Sequence, residues 1–318
     1  MHWHNQNHVY RLSDAQLDQP SMVTIGVFDG VHIGHQFLIR QLVQDAHASG
    51  RLAVVLTFFP HPDIVLRRLQ GRYYLTTPEQ RARQLLALGV DHVITQPFNE
   101  QTRQVRAADF VDELIRHLRM EVLRVGQDFA LGYKREGNVV YLTQQGREKG
   151  FTVDAIDLVS VESLDGAVSS TLIRDALIIG DIPQAKRLLG RGYEVYGEVV
   201  HGKKRGRALG YPTANIAVWG EQVIPANGVY AGWAHLGDER FMAMTNVGIS
   251  PQFMNEEVTV ESYLLDFDRD IYGQTLAITF EKFLRPEARF NSLNELVDQI
   301  GRDVEEGRAH LAELDEQG

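Results

Sequence analysis

The order of predicted strands and helices changes near residue 190 and divides the chain in two. Before that point, apolar runs such as 22–28 and 52–59 alternate with helical patterns such as 34–48 and 107–118. Strands that alternate with helices are typical of a parallel sheet with helices on its faces. After it, short β-rich runs follow one another from 193 to 283, and this spacing favours a small β-barrel or sandwich.

The chain has 318 residues, which is long enough for two domains. We expect an α/β domain of Rossmann-like type at residues 1–187 and a smaller β domain at 188–318. An amphipathic helix from 293 to 311 closes the second domain. Ligands of parallel sheets bind beyond the carboxyl ends of the strands, so the turns after the N-terminal strands are candidate site positions.

The composition excludes several classes of function. The formal net charge of -10 disfavours binding to nucleic acid, because an acidic surface repels the phosphate backbone. The sequence has no cysteine, which excludes disulfides and thiolate catalysis and fits a cytoplasmic protein. No apolar run approaches the roughly 20 residues of a membrane span, and residues 1–5 do not resemble a signal peptide. We therefore expect small-molecule partners, with no nucleic acid and no membrane.

A glycine-rich turn at 26–35 follows the first predicted strand and opens a helix. Glycines at such a turn let backbone N–H groups approach a phosphate, and a helix N-terminus favours negative charge. His32 and His35 are three residues apart and share a face if the segment is helical. Two such donors can bind a triphosphate and stabilise the charge on a leaving pyrophosphate. The alternative is a tight turn that carries two surface histidines.

A second cluster lies at 197–215, where Gly202, Gly206 and Gly210 recur with basic residues between them. A basic glycine-rich loop suits phosphate binding, although a charge run of this kind is more often a solvated turn. Thr213 and Asn215 follow it and offer oxygen ligands of the kind that Mg²⁺ accepts beside nucleotide phosphates. These residues therefore predict a second phosphate site in the C-terminal part of the chain.

Four N-terminal stretches, 26–35, 57–62, 126–129 and 169–174, together resemble bacterial bifunctional riboflavin kinase/FMN adenylyltransferases, also called FAD synthetases. The first stretch is similar to the H-x-G-H signature of nucleotidyltransferases. The resemblance implies that His32 and His35 serve the transfer of AMP from ATP to FMN. It implies further ATP-binding residues, Gly26, Phe28, Gly34, Ser170, Thr171 and Arg174, and a flavin pocket with Phe58, Asp128 and Phe129. Ser170 or Thr171 can equally cap the helix that follows.

The C-terminal stretch 210–215 is similar to the G-x-P-T-A-N motif of flavokinases. The resemblance implies a small antiparallel barrel in which Thr213 and Asn215 hold Mg²⁺ and ATP. It implies that Glu261 is the base that activates the riboflavin 5′-hydroxyl and that Arg285 lies near the flavin. The basic loop would bind ATP through Gly202, Lys203, Gly206, Arg207 and Gly210. Together these residues would phosphorylate riboflavin to FMN, which the N-terminal domain would convert to FAD.

The sequence departs from the family pattern at Leu131, Ser250, Gln252 and Tyr263, which concern the substrate pockets. Two alternatives remain at this point. One is a nucleotidyltransferase of another specificity, such as a cytidylyl- or pantetheine-phosphate adenylyltransferase, with an unrelated barrel. The other is a flavin-binding regulator without catalysis. The spacing from Gly202 to Asn215, with Glu261 downstream, argues against the first. Against the second stand the retained residues His32, His35, Arg174, Thr213, Asn215 and Glu261.

Overall fold

The computed structural model describes residues 5–156, 168–202, 206, 209–252 and 255–316, with the side chains of 250–257 left out. The chain forms two compact units. One unit contains His2–Gln70 and Thr76–Ser169, and the other contains Ser170–Gly318 together with the short segment Gly71–Leu75.

The first unit is built on a six-stranded sheet in which every neighbouring pair of strands is parallel. Its strands are β1 (His8–Val9), β2 (Ser21–Ile25), β3 (Leu52–Phe59), β4 (His92–Pro97), β5 (Met120–Gly126) and β8 (Thr152–Ile156). They lie in the order β1-β4-β3-β2-β5-β8. The helices are α1 (Ile33–Ala48), α2 (Pro62–Arg67), α3 (Pro78–Ala87), α4 (Ala107–Leu118) and α5 (Val139–Lys149). A short pair, β6 (Ala130–Leu131) and β7 (Gly137–Asn138), lies apart from this sheet.

Alternate residues of the central strands supply two separate apolar cores, one on each face of the sheet. Val54 and Leu56 of β3 pack in one core, whereas Ala53 and Val55 pack in the other. Side chains of a strand alternate between its faces, so a strand covered on both sides is apolar throughout. This burial explains why β3 is a continuous apolar run in the sequence.

Local sequence signals fix where α3 begins. Thr77 caps the helix by accepting from the backbone N–H of Gln80, and the Gln80 side chain accepts in return from the N–H of Thr77. Pro78 occupies the first helical position, where the missing N–H costs no helical hydrogen bond. This capping box sets the register in which α3 presents Arg81 to the interior.

The second unit contains a closed antiparallel barrel in the order β10-β13-β12-β11-β14-β9. Its strands are β9 (Tyr193–Val200), β10 (Thr213–Val218), β11 (Gly228–Leu236), β12 (Glu239–Gln252), β13 (Asn255–Leu264) and β14 (Thr275–Arg285). Two helices, α6 (Ser170–Ile178) and α7 (Ile182–Leu189), precede it, and α8 (Leu293–Glu316) follows it. The helix α8 packs through Leu311 on Ala231, Trp233 and Met244 of the barrel wall.

The predicted fold class, a parallel α/β unit followed by an antiparallel barrel and a C-terminal helix, is confirmed. The sequence patterns did not predict α2, α5, β1, β8 or β10. The contact-based units join α6 and α7 to the barrel. The division at 1–187 and 188–318 therefore stays a prediction about functional domains. Among the described residues, no helix is both long and apolar enough to cross a bilayer.

Candidate active sites

The turn after β2 has an unusual backbone that is fixed by a buried carboxylate. Phe28 has φ 52° and Val31 has φ 37°, and a β-branched residue in this region is strained. The buried Asp29 accepts hydrogen bonds from the backbone N–H of Thr76 (3.1 Å) and from its hydroxyl (3.2 Å). The hydroxyl of Thr76 in turn accepts from the N–H of Gly30 at 3.3 Å. Asp29 and Thr76 therefore hold the turn in its strained form.

The two histidines of the turn lie against each other at the start of α1. His32 is the N-cap residue, and its Nδ1 accepts from the backbone N–H of His35 at 3.3 Å. The two rings stack with centroids 3.6 Å apart, and Phe28 contacts the His35 ring edge-on at 5.2 Å. An added Cβ at Gly34 would lie 3.3 Å from the His32 ring, so glycine permits this close approach. The predicted pairing of the histidines is therefore present.

The environment of His35 disfavours its protonated form. Burial lowers the pKa of His35 well below its ordinary value of 6.5, and the neighbouring His32 and Arg81 lower it further. Its Nδ1 is buried and has no hydrogen-bond partner among the residues that the structure describes. A neutral imidazole with an unbonded ring nitrogen can donate a hydrogen bond from a ring N–H to an anionic ligand, or take up a proton beside that ligand.

Three of the resemblance stretches follow three neighbouring strands at one edge of the sheet. Residues 26–35 follow β2, residues 57–62 end β3, and residues 126–129 end β5. The strand β2 lies between β3 and β5, and all three are parallel. The carboxyl ends of parallel strands meet at the same edge, where ligands of such sheets bind. The fold thus brings the predicted phosphate turn and both predicted flavin stretches to the same edge.

The predicted flavin residues differ in how much of them is exposed. Phe58 and Phe129 are partly buried and pack against one of the two sheet cores. Phe58 also contacts Phe98 edge-on, with centroids 5.7 Å apart. Asp128 is exposed, and its backbone carbonyl accepts from Arg135 at 2.9 Å. The two aromatic rings therefore serve the core and leave only part of their surface for a ligand.

The segment Ser170–Arg174 belongs to the barrel-containing unit, whereas the histidines belong to the sheet unit. Ser170 and Thr171 are the first two residues of α6, at the helix N-terminus that the phosphate alternative requires, and the N-cap position falls on Ser169. The Arg174 Nε donates to the carbonyl of Tyr73 at 2.6 Å, and its guanidinium lies 4.0 Å from the centre of the Tyr73 ring. Tyr73 therefore fixes the direction of the Arg174 side chain.

The predicted kinase residues form one row across three barrel strands. Glu261 of β13 pairs with Asn215 of β10 on one side and with Asn246 of β12 on the other. Thr213 pairs with Tyr263 in the next row of the same face. Directly paired residues project to the same face of a sheet. Because the neighbouring Ser262 and Thr245 bond to each other inside the barrel, the row of Asn215, Glu261 and Asn246 faces outward.

The side chains of this row have no partner within the described part of the chain. The half-buried side chains of Thr213, Asn215, Asn246 and Glu261 make no hydrogen bond or ion pair with the residues described. Half-buried polar groups without a protein partner bond to water or to a ligand, so this group of oxygens and amides is a candidate ligand site. Gly202 lies against it, because an added Cβ there would come within 2.2 Å of the Asn215 side chain.

The basic loop is described only in part, since Lys203 and Arg207 lie outside the described residues. Gly206 closes a turn by accepting at its carbonyl from the N–H groups of Leu209 and Tyr211. Gly210 has φ 85°, which favours glycine at that position. The loop thus returns to Thr213 through a tight turn.

A cleft opens beside Thr213 within the second unit. Its volume is about 260 Å³, and it is lined by the residues Val199, Pro212, Thr213, Ala214, Leu264 and 267–272. The His201 ring lies 3.9 Å from the ring of Tyr272 at its margin. A concave site with apolar and polar groups next to the unpaired row is suited to a small molecule.

Arg285 is held by α8. Its Nε and Nη2 bond to both oxygens of the buried Asp303 at 2.7–3.0 Å, and its Nη1 donates to the carbonyl of Pro286. Gln299 donates a further bond to Asp303. A forked guanidinium–carboxylate pair fixes the orientation of Arg285 at the end of β14.

Sequence patterns did not identify three residues that contribute to these sites: Arg81, Asn246 and Asp303. Arg81 is fully buried, and Asn246 takes its place only through strand register. Asp303 lies among the many charged residues of α8, so the sequence suggests an ordinary surface carboxylate. None of the three has a local signal that separates it from an ordinary helix or strand residue.

Two family models match the chain. A FAD synthetase model matches residues 14–172, and a riboflavin kinase model matches residues 189–311. The first match contains the β2 turn and the histidines, and the second contains the glycine-rich loop and the row around Glu261. The presence of both in one chain argues against an unrelated appended barrel.

The relatives of this chain include bifunctional riboflavin kinase/FMN adenylyltransferases from three bacteria. The protein of Listeria monocytogenes is 37% identical over 96% of each chain. The protein of Bacillus subtilis is 35% identical and covers 92% of this chain and 93% of its own. The protein of Escherichia coli is 36% identical and covers 93% of this chain and 94% of its own.

A crystal structure with a similar fold is described as a macrolide-efflux protein from Streptococcus pneumoniae. It superposes with a TM-score of 0.83 at 31% identity and covers 95% of this chain and 98% of its own. The two proteins therefore share their fold over nearly the whole chain. The efflux description applies to that protein.

Proposed function

The chain belongs to the family of bifunctional riboflavin kinase/FMN adenylyltransferases, and from that premise we propose which of its residues carry each reaction. The C-terminal region phosphorylates riboflavin with ATP to FMN, and the N-terminal region adenylylates FMN with ATP to FAD. The proposed functional domains are residues 1–187 and 188–318, and the gap between the two family matches, at 173–188, supports that division.

In the kinase reaction we assign the base to Glu261. Its carboxylate would take the proton of the riboflavin 5′-hydroxyl as that oxygen attacks the γ-phosphorus of ATP. The bond from the γ-phosphorus to the bridging oxygen then breaks, and ADP leaves with the electron pair. The observation that carries this assignment is the outward row of Asn215, Glu261 and Asn246, whose side chains have no partner in the described part of the chain.

The donor set fits Mg²⁺ as a companion of ATP. Thr213 and Asn215 offer neutral oxygens, and no group of three or more His, Asp or Glu side chains that could hold a metal occurs among the described residues. Mg²⁺ characteristically takes few protein ligands and completes its shell with phosphates and water. Thr213 and Asn215 would hold the ion, and the bound ion would neutralise part of the negative charge on the phosphates. Gly202, Lys203, Gly206, Arg207 and Gly210 would bind the phosphates, and Arg285, oriented by Asp303, would lie near the flavin.

In the adenylylation reaction an oxygen of the FMN phosphate attacks the α-phosphorus of ATP. The bond to the β-phosphate breaks, and pyrophosphate leaves. His32 and His35 would donate N–H groups to the phosphates, and the enzyme would act by position and charge without a covalent intermediate. The other proposed ATP contacts are Gly26, Phe28, Gly34, Ser170, Thr171 and Arg174. The proposed flavin contacts are Phe58, Asp128 and Phe129. The stretches 26–35, 57–62 and 126–129 lie at the same edge of the sheet, and this common position supports the assignment of ATP and flavin contacts to them.

Thr213→Val tests the metal and ATP assignment in the kinase site. Valine keeps the shape of threonine and removes the oxygen, so we expect the Mg²⁺ and ATP requirements of FMN formation to rise roughly 10-fold. Adenylylation of added FMN should keep its rate. The exposed Thr275 at the start of β14 provides the control substitution Thr275→Val. Unchanged Mg²⁺ and ATP dependence in Thr213→Val would remove Thr213 from the site.

We propose that the enzyme works in the cytoplasm on small molecules, without nucleic acid or membrane partners. The formal net charge of -10 supports this for nucleic acid, because long-range repulsion opposes binding to a polyanion. The absence of cysteine agrees with a reducing compartment.

A further inference from the structure

Arg81 is a cation buried beneath the edge of the sheet where the adenylylation residues meet. It lies on α3, and none of its surface is exposed. Its Nη1 donates to the backbone carbonyl of Val27 at 2.5 Å, to the hydroxyl of Thr57 at 3.0 Å and to the carbonyl of Phe58 at 3.3 Å. The Thr57 hydroxyl also donates to the Val27 carbonyl at 2.7 Å.

These contacts join two stretches that are far apart in the sequence. Val27 lies in the turn 26–35, which we assign to ATP, and Phe58 lies in the stretch 57–62, which we assign to the flavin. Strands β2 and β3 are paired as far as Ile25 and Leu56, and the backbone N–H of Gly26 donates to the carbonyl of Leu56 at 3.1 Å. Beyond these contacts, the Arg81 Nη1 and the Thr57 hydroxyl connect the turn at Val27 to the end of β3. The relative position of Val27 and Phe58 therefore depends on Arg81 and Thr57.

A buried cation is a costly way to fill a core position. Charge leaves water at a large free-energy cost unless hydrogen bonds and neighbouring charges compensate it, and an apolar side chain of similar size often serves packing as well. For Arg81, three hydrogen bonds at the edge of the sheet where ligands bind compensate part of this cost. The charge of Arg81 also acts on the histidine pair, because it contributes to the lowered pKa of His35.

We propose that Arg81 is a positioning residue for FMN adenylylation, which holds the ATP turn at Val27 and the flavin stretch at Phe58 in one fixed relation. The inference rests on the proposed roles of those two stretches. Arg81 acts through the carbonyls that it binds, so substrates need not touch it. Displacement of either stretch would separate the FMN phosphate from the α-phosphorus of ATP, and small displacements of reacting groups reduce rates strongly.

The test compares Arg81→Lys and Arg81→Met with the wild-type chain. Lysine keeps the charge but loses the planar fork, and methionine loses both. We expect kcat/KM for FMN adenylylation to fall roughly 10- to 100-fold in Arg81→Lys and further in Arg81→Met, with the KM values of ATP and FMN rising together. Riboflavin kinase activity of the same molecules should not change, which reports on enzyme concentration and on the fold of the barrel unit. Arg116→Lys, on an exposed arginine of α4 paired with Glu113, is the matched control and should leave both activities unchanged.

Two further measurements separate positioning from general support of the fold. Thr57→Val removes the shared hydroxyl with little change of volume, and we expect a smaller fall in adenylylation in the same direction. NMR titration should show a raised pKa of His35 in Arg81→Met, because a nearby positive charge is removed. Wild-type adenylylation in Arg81→Lys or Thr57→Val, or an equal loss of both activities in each, would overturn the inference.

His35→Gln, assayed in parallel, shows which proposal has failed. If His35→Gln loses adenylylation while Arg81→Lys keeps it, the positioning role alone is wrong. If His35→Gln keeps adenylylation, the site on which the positioning role rests is wrong.

Discussion

His35 is held neutral by its surroundings before any phosphate arrives. Its ring stacks on His32 at 3.6 Å, its Nδ1 is buried without a hydrogen-bond partner in the described residues, and Arg81 adds a positive field. A triphosphate bound at the proposed ATP site would raise the pKa of His35, because nearby negative charge favours the imidazolium form. Proton uptake by His35 is therefore expected to accompany ATP binding at this site.

NMR titration of the histidine rings tests this behaviour, with His35→Gln used for assignment. We predict a pKa of His35 well below 6.5 in the free enzyme and a higher pKa with a non-hydrolysable ATP analogue. Because the unfolded chain binds this proton near pH 6.5 and the folded chain does not, the contribution to the free energy of unfolding is complete above about pH 6.5 and is lost as the pH falls. A pKa at or above 6.5 in the free enzyme would contradict the burial that we describe.

Tyr73 orients Arg174 through its carbonyl and its ring. Removal of the ring in Tyr73→Leu removes a cation–π contact of about 0.5–2 kcal/mol, so we predict that the KM of ATP in adenylylation rises roughly 2- to 30-fold. Tyr73→Phe keeps an aromatic face and should behave as wild type. Steady-state kinetics with ATP varied distinguish the two variants, and equal behaviour of leucine and phenylalanine would exclude a role for the ring.

At the scale of elements, the register of β10, β13 and β12 builds the proposed kinase site. It places Asn215, Glu261 and Asn246 in one row, and Gly202 leaves room for the Asn215 side chain. A one-residue slip of any of these strands would turn its side chain to the other face. The site therefore depends on pairing between segments that are 30 or more residues apart along the chain, apart from the β12–β13 hairpin.

Gly202→Ala tests whether that room is needed. The added methyl group would come within 2.2 Å of the Asn215 amide, so the loop or the amide must move. We predict a fall of roughly 10-fold or more in kcat/KM for FMN formation, about 1.4 kcal/mol of transition-state stabilisation, with adenylylation unchanged. Gly220→Ala is the control, because an added Cβ there meets open space. Equal kinase activity in both variants would show that the loop does not need glycine at 202.

The sequence allowed prediction of those features that local patterns encode. The strand β3 and the helix α4 were predicted at their observed bounds, because apolar runs and helical periodicity are set by neighbouring residues. The histidine turn was predicted because its glycines and its place after a strand are local as well. The strand β8 was missed, since its residues are only half-buried at the edge of the sheet and carry a weak apolar signal.

The remaining parts of the sites depend on contacts that no local pattern shows. Asn246 reaches Glu261 through pairing of β12 with β13, and Asp303 reaches Arg285 from a helix that packs on the barrel. Arg81 looks like a surface residue of an amphipathic helix, yet it is fully buried and its guanidinium bonds to two backbone carbonyls. Such positions follow from the tertiary fold, which a single sequence does not specify residue by residue.

At the scale of the whole molecule, the chain combines phosphorylation of riboflavin, in its C-terminal region, with adenylylation of FMN, in its N-terminal region. The product of the kinase, FMN, is the nucleophile of the adenylyltransferase. Glu261 and His35 lie in different units, and each is assigned to one reaction only. A change at either residue should therefore affect one step and leave the other at its wild-type rate.

The most direct test is a time course that resolves riboflavin, FMN and FAD for Glu261→Gln and His35→Gln. We predict that Glu261→Gln forms FMN about 10²- to 10⁴-fold more slowly than wild type but still converts added FMN to FAD. We predict that His35→Gln accumulates FMN from riboflavin and ATP and forms little FAD. Glu306→Gln, a surface glutamate of α8 paired with Lys282, is the control. Two separate sites would be contradicted if Glu261→Gln also failed to convert added FMN to FAD, or if His35→Gln also failed to form FMN from riboflavin.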